Sequence, residues 1–225
     1  MFKSRRRPLV IPQAEHLRLA GALAVLWGNA RFIAPPLPPA ALWAGIALHD
    51  RAYGPLDNIS IGEVDEATWV ALTRRGFYLP CANPLANVIT RHHLLRLAAG
   101  QATPARLALA AEMRPVLQAQ MAQHHLDEEL MRRVDQITKL CDMVSFDFCF
   151  EAPAEGQVEV WANVADPAPV PVHYRIQESA ITLTPWPLRV PDYEGYVVGY
   201  ALEGYPDQLD GIVIPYQIRP GNKKG

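Results

Sequence analysis

The sequence predicts a mainly-α protein, a helical bundle over residues 1–150 with a small antiparallel β segment over 151–225 packed on it. Three observations carry this. Up to about residue 150 the apolar residues recur at helical spacing, and beyond it they alternate. Ten of the 21 prolines follow residue 150, where they punctuate short strands. Six of the seven histidines precede it, so polar chemistry concentrates in the helical part. The boundary falls near "EAPAEG" (151–156).

The elements follow in order. Pro12 suits a first helical turn, and "QAEHLRLAGALAVLWGN" places Leu19, Leu23, Leu26 and Trp27 on one stripe. "APPLPP" breaks the chain, and Pro39 starts a second helix running to His49 or Asp50. Residues 51–62 read as a loop. Asp65 caps a helix through "EATWVALTRRG". Asn83-Pro84 opens "LANVITRHHLLRLAAG", closed by Gly100. Thr103-Pro104 begins a long helix through "ARLALAAEMRPVLQAQMAQHHLDEEL", bent at Pro115. "RRVDQITKLCDMVSFDFCF" is the last. After the boundary, Val158, Val160, Ala162 and Val164 share one face of "QVEVWANV". "HYRI", "AITLT", "YVVGYAL" and "GIVIPYQI" are further strands.

Composition narrows the function classes. A net charge of −2 and the restriction of basic runs to "KSRRRP" and "NKKG" argue against a nucleic-acid binder. No apolar stretch reaches the length of a membrane span, and the run in "RRRPLVIPQAEH" is too short for a signal sequence. Cys81, Cys141 and Cys149 form no CxxC pair and no even set. That points to a reducing, cytoplasmic setting and away from a disulfide framework or a cysteine zinc cluster.

Polar groups on apolar stripes are the candidates for chemistry. His16 lies three, four and seven residues before Leu19, Ala20 and Leu23, so its ring faces the bundle interior. His49 and Asp50 close the apolar run "ALWAGIALHD". Asp142 sits among Leu140, Cys141, Met143, Val144 and Phe146, where an unpaired carboxylate costs several kcal/mol or takes up a proton. A nearby cation removes that cost. Lys139, Arg132 and Arg133 are the ordinary salt-bridge alternatives. Imidazoles and carboxylates arriving from separate helices make a nitrogen/oxygen set suited to a divalent metal.

The order His16, His49-Asp50, Asp142, with His92 or His93 and His124 or His125 between, resembles the ligand order of the HD-domain metal-dependent phosphohydrolases. The strings "EHLRLAGALAVLWGN", "LWAGIALHD", "TRHHLLRLA" and "KLCDMVSFDFC", then "TPWPL", resemble a bacterial family known only as a domain of unknown function. The HD resemblance implies an all-helical bundle holding one or two divalent ions (Mn, Mg, Zn, Ni or Fe) with His16, His49, Asp50 and Asp142 as ligands. His92 would be an additional ligand or catalytic group, with His93 its competitor about 100° round the helix. It further implies hydrolysis of a small phosphorylated molecule, with Asp50 bridging metals or orienting water. Arg91 and Lys139 are candidates for stabilising charge on phosphate. Many members carry a lysine soon after the HD pair. Here Arg51 and Gly54 follow without an adjacent lysine. A di-iron oxygenase on the same ligand set and a non-catalytic metal- or ligand-binding protein are the alternatives. Oligomeric state is left open.

Overall fold

The structure is a computed structural model describing residues 1–163 and 168–221. Six helices are present among them: α1 (Gln13–Leu26), α2 (Pro39–Ala47), α3 (Glu66–Tyr78), α4 (Pro84–Ala99), α5 (Pro104–Gln123) and α6 (Glu128–Cys149). Seven strands accompany them: β1 (Phe2–Lys3), β2 (Leu9–Ile11), β3 (Ala154–Val160), β4 (Val170–Gln177), β5 (Ala180–Thr184), β6 (Tyr193–Ala201) and β7 (Ile212–Pro220). The strands form one mixed sheet in the order β1-β2-β6-β7-β5-β4-β3.

This corrects the expected fold class. The protein is an α/β fold with a large sheet, not an all-α bundle bearing a small β appendage. Two features account for the difference. "LVI" at 9–11 is a three-residue strand, too short for an alternating pattern. It nonetheless pairs with β6 (Leu9 with Ala201, Val10 with Tyr200), extending the sheet through the N-terminal segment. The sheet is also not purely antiparallel, because β7 lies between β6 and β5 and runs parallel to β5 (Ile181 with Ile218). Val164, assigned to a strand face from the sequence, and the "NKKG" terminus lie outside the described residues.

The sheet packs one face on the helices. In β4 the buried residues Val172, Tyr174 and Ile176 alternate with exposed His173, Arg175 and Gln177, the pattern of a sheet solvated on one side. The Phe148 ring of α6 meets Tyr216 of β7 edge-on at 5.5 Å, and Tyr174 donates to Asp147 at 2.6 Å. These contacts join the sheet to α6.

Helix starts follow local chemistry. Asp65 accepts from the Thr68 amide, Asn83 from those of Leu85 and Ala86, and Thr103 from that of Arg106. The run expected to continue through "HHLDEEL" instead stops at Gln123. His125 takes φ 54°, and Asp127 caps α6 through the Leu130 amide. Pro115 is accommodated inside α5.

The placement of α2 matters most for the site. A Cβ on Gly45 would lie 2.6 Å from Ile89 Cβ, so the glycine lets α2 approach α4 closely. The helix ends at Ala47 and the chain turns through His49 and Asp50. Arg51 then donates to the carbonyls of Gly76 and Leu79 and to Asn87 Oδ1, tying the turn to the end of α3 and to α4. Beside it, a Cβ on Gly76 would fall 2.3 Å from Ala52 Cβ and 2.8 Å from its Cα. Gly76→Ala is therefore expected to lower stability by about 2 kcal/mol through overpacking, read from a urea-unfolding midpoint. A neutral result would contradict the placement of this turn.

Candidate metal centre

Two helices and one turn bring His16, His49, Asp50 and Asp142 together. One donor atom from each lies within 4.8 Å of every other. His16 comes from α1, His49 and Asp50 from the turn after α2, and Asp142 from the middle of α6. Both imidazoles are fully buried, while each carboxylate side chain stays 13% exposed. The cluster therefore opens through its carboxylates.

Hydrogen-bond partners assign the ring protons. His49 Nδ1 lies 2.7 Å from the Ile46 carbonyl, which can only accept, so Nδ1 carries a proton. In the neutral ring Nε2 is then a bare lone pair. Ser145 spends its hydroxyl proton on the carbonyls of Cys141 or Asp142, at 2.8 and 3.0 Å. His16 Nδ1, 2.8 Å from that hydroxyl, therefore donates to it. The two Nε2 atoms face each other at 3.0 Å. Two lone pairs at that distance repel unless a cation, either a proton or a metal ion, lies between them.

The distances suit a divalent ion. Donors about 2.1 Å from one ion are about 3.0 Å apart at right angles and no more than about 4.2 Å apart. Asp50 Oδ2 is 3.6 and 3.9 Å from the His16 and His49 nitrogens, and Asp142 Oδ1 is 3.6 and 3.4 Å from them. All four separations fall inside this range, and the set is the nitrogen/oxygen mixture such ions prefer.

Electrostatics agree. Burial pulls the His49 imidazole down, but Asp50 and Asp142 outweigh it and hold it up at about 9. Burial pushes Asp50 up, yet His49, His16 and His93 hold it well below the usual carboxylate range. Asp142 is lowered too, with His49 overcoming burial.

Further side chains hold these four residues in place. Gln13 Nε2 donates to Asp50 Oδ2 at 2.9 Å. Arg96 donates to His93 Nδ1 at 2.8 Å, which leaves the proton of neutral His93 on Nε2, and Nε2 gives it to Asp50 Oδ1 at 3.1 Å. Burial holds the His93 pKa down, as this neutral donor role requires. Asp135 anchors Arg96 Nε at 2.9 Å, and Arg96 also lies 3.7 Å from Asp142. Removing such orienting partners lowers metal affinity by about 10- to 100-fold. That loss is expected for Arg96→Leu and for His93→Phe, measured by competition with a chelating dye. Wild-type affinity in both variants would deny Arg96 and His93 this role.

The remaining sequence candidates sit elsewhere. His92 is partly exposed, with Nδ1 3.7 Å from Asp135. Arg91 is buried, donates to the Phe77 carbonyl at 2.6 Å and lies over that ring. Lys139 is exposed on α6 and makes no contact with the cluster among the described ion pairs. His124 caps the end of α5 and His125 is exposed. Arg133 and Arg132 pair with Glu129, so the cation beside Asp142 is Arg96. Sequence reasoning missed Gln13, His93 as the inward ring, Arg96 and Ser145. A common signal was available: Gln13 is three residues before His16, Ser145 three after Asp142, and Arg96 three after His93, each one helical turn away.

Asp50 and Asp142 form one end of a cleft of about 520 Å³, whose lining also includes Arg96, Arg106, Gln101 and Trp69. A family model described as a protein of unknown function (DUF3891) matches residues 2–203. The chain belongs to the DUF3891 family. The DUF3891 match spans β1 through β6, so it includes His16, His49, Asp50 and Asp142, the residues that hydrogen-bond to them, and every lining residue of the cleft except Met1. No curated protein and no solved structure matches the chain closely enough to bear on its function.

Proposed function

We propose that the protein is a metal-dependent phosphohydrolase that acts on a small phosphate ester, with His16, His49, Asp50 and Asp142 holding a divalent ion. The observation that carries this reading is the convergence of two Nε2 atoms and two carboxylates beside a cleft whose wall includes two guanidiniums. When bound, a divalent ion lowers the pKa of a ligated water toward neutrality and so supplies hydroxide. The chain's own residues do the rest. His93 orients Asp50, and Arg96 fixes the tautomer that allows it. Ser145 keeps the His16 lone pair aimed inward. The exposed edges of Asp50 and Asp142 direct reacting groups to the cleft side, because the histidine side is closed. The order of the four ligands supports kinship of this helical layer with the HD-domain phosphohydrolases.

Among the described residues no helix is long and apolar enough to cross a membrane. The three free cysteines, two of them buried, support a cytoplasmic setting.

Elemental analysis of the purified protein, followed by turnover assays on generic phosphomonoesters, phosphodiesters and nucleotides, tests the function. About one equivalent of divalent metal with metal-dependent release of phosphate or alcohol is expected. Absence of metal, metal without turnover of any phosphate ester, or iron with an oxygen-dependent spectral change would each overturn it.

A further inference from the structure

From the charge pairing and lining of the cleft, we infer that its substrate is a phosphodiester with an apolar or aromatic alcohol, carrying a single negative charge, and is not a phosphomonoester dianion. The inference rests on the hydrolase reading above and narrows it.

Both guanidiniums of the cleft are already neutralised. Asp135 holds Arg96 at 2.9 Å, and Arg96 spends a further donor on His93. Glu66 accepts from Arg106 Nε at 3.1 Å, and the Arg106 guanidinium lies 3.9 Å over the Trp69 ring. A divalent ion offsets Asp50 and Asp142. A further carboxylate, Asp147, lines the same cleft with one oxygen held by the Tyr174 hydroxyl. The Met1 ammonium, also in the lining, is 3.5 Å from Asp57. The wall therefore offers no surplus positive charge to a second phosphate charge, and a dianion there meets Asp147 without compensation. Most of the other lining side chains are apolar, Leu56, Ile59, Ile61, Val64, Leu97 and Trp69 among them. That surface gains free energy from covering an apolar group and loses it from burying a charged or sugar-like one. A cleft of about 520 Å³ has room for both the diester and such an arm.

The test uses the manganese-loaded full chain and two ligands that differ in charge and in one aryl arm, diphenyl phosphate and phenyl phosphate, titrated by calorimetry. Diphenyl phosphate is expected to bind at least about tenfold more tightly. Glu66→Gln changes a partly exposed side chain and keeps its partner Thr103 within reach. It frees the Arg106 charge, so it should strengthen phenyl phosphate several-fold and narrow the gap. Equal or tighter binding of phenyl phosphate to the wild type, heat from neither ligand, or an unchanged gap in the variant would each overturn the inference. Because the readout is binding, it separates from the broader reading. The expected preference without turnover sinks the hydrolase and leaves the ligand class standing. Turnover of monoesters in preference to diesters does the reverse.

Discussion

Replacing Asp142 by alanine is expected to weaken divalent-metal binding by more than about 100-fold, beyond the loss typical for outer-shell partners. Asp142 is one of only two carboxylates in the cluster, and its Oδ1 is the carboxylate oxygen nearest His49 Nε2, at 3.4 Å. Without it the ion keeps two neutral imidazoles and Asp50, and its charge is only half offset. The protein dialysed against trace metal should lose its stoichiometric ion. The stabilisation that excess metal confers, about 4 kcal/mol at a thousand times the dissociation constant, should vanish from the melting curve. Lys139→Ala on the exposed side of the same helix is the control and should retain both. Stoichiometric metal in the Asp142→Ala protein would remove the basis for assigning a centre here.

The helices were legible because each combines a stripe with a start signal. Asp65, Asn83 and Thr103 sit just before apolar periodic runs, and each accepts from an amide of its helix's first turn. The sheet was not legible as a whole. Two of its strands have only two and three residues, and the place of β7 between β5 and β6 depends on long-range pairing that leaves no local pattern. At the site, His16 and Asp142 could be singled out because α1 and α6 each have one buried stripe for a polar group to interrupt. α4 does not. It packs against α2, α3, α5 and α6 and buries residues around most of its circumference, from Val88 through Leu95. Periodicity there cannot rank His92 against His93. What ranks them is which neighbour each ring meets, Asp135 or Asp50, and that is settled by helix packing.

The protein freed of metal should lose stability as pH rises from about 6.5 to about 9, and added metal should reverse the trend. The His49 pKa stands at about 9 in the folded chain against an ordinary value of 6.5, so the folded state binds the extra proton across this window. A raised folded pKa gives stability that is fully present below the unfolded value and disappears as pH passes the folded one. The loss is roughly 3 kcal/mol as an upper figure, since each pKa unit is about 1.4 kcal/mol. Asp50 and Asp142, held low, act in the acid range. Their contribution is present above the usual carboxylate pKa and is lost as pH falls through their folded values. His93, held low by burial, opposes folding below about 6.5, where the unfolded ring is charged. It contributes no slope above that. Between about 6.5 and 9 the Met1 ammonium, lowered by burial, acts in the opposite sense to His49. Near 9 the Cys141 and Cys149 thiols, held up by burial, act in the same sense as His49. The difference between wild type and a His49 variant is therefore what isolates His49. The physical origin is the pair of carboxylates, Asp50 and Asp142, which outweigh burial and hold a proton on His49. Its Nε2 lies 3.0 Å from that of His16, where a cation is needed. Below pH 9 a proton serves. A metal ion displaces that proton, so metal affinity should rise with pH over the same window and the loaded protein should show no fall in stability. Urea unfolding at pH 6.5 and 9, with chelator and with manganese, measures both arms, and His49→Gln should flatten the chelated one. Chelated wild-type stability that holds level or increases from pH 6.5 to 9 would mean that the two imidazoles are not held lone pair to lone pair.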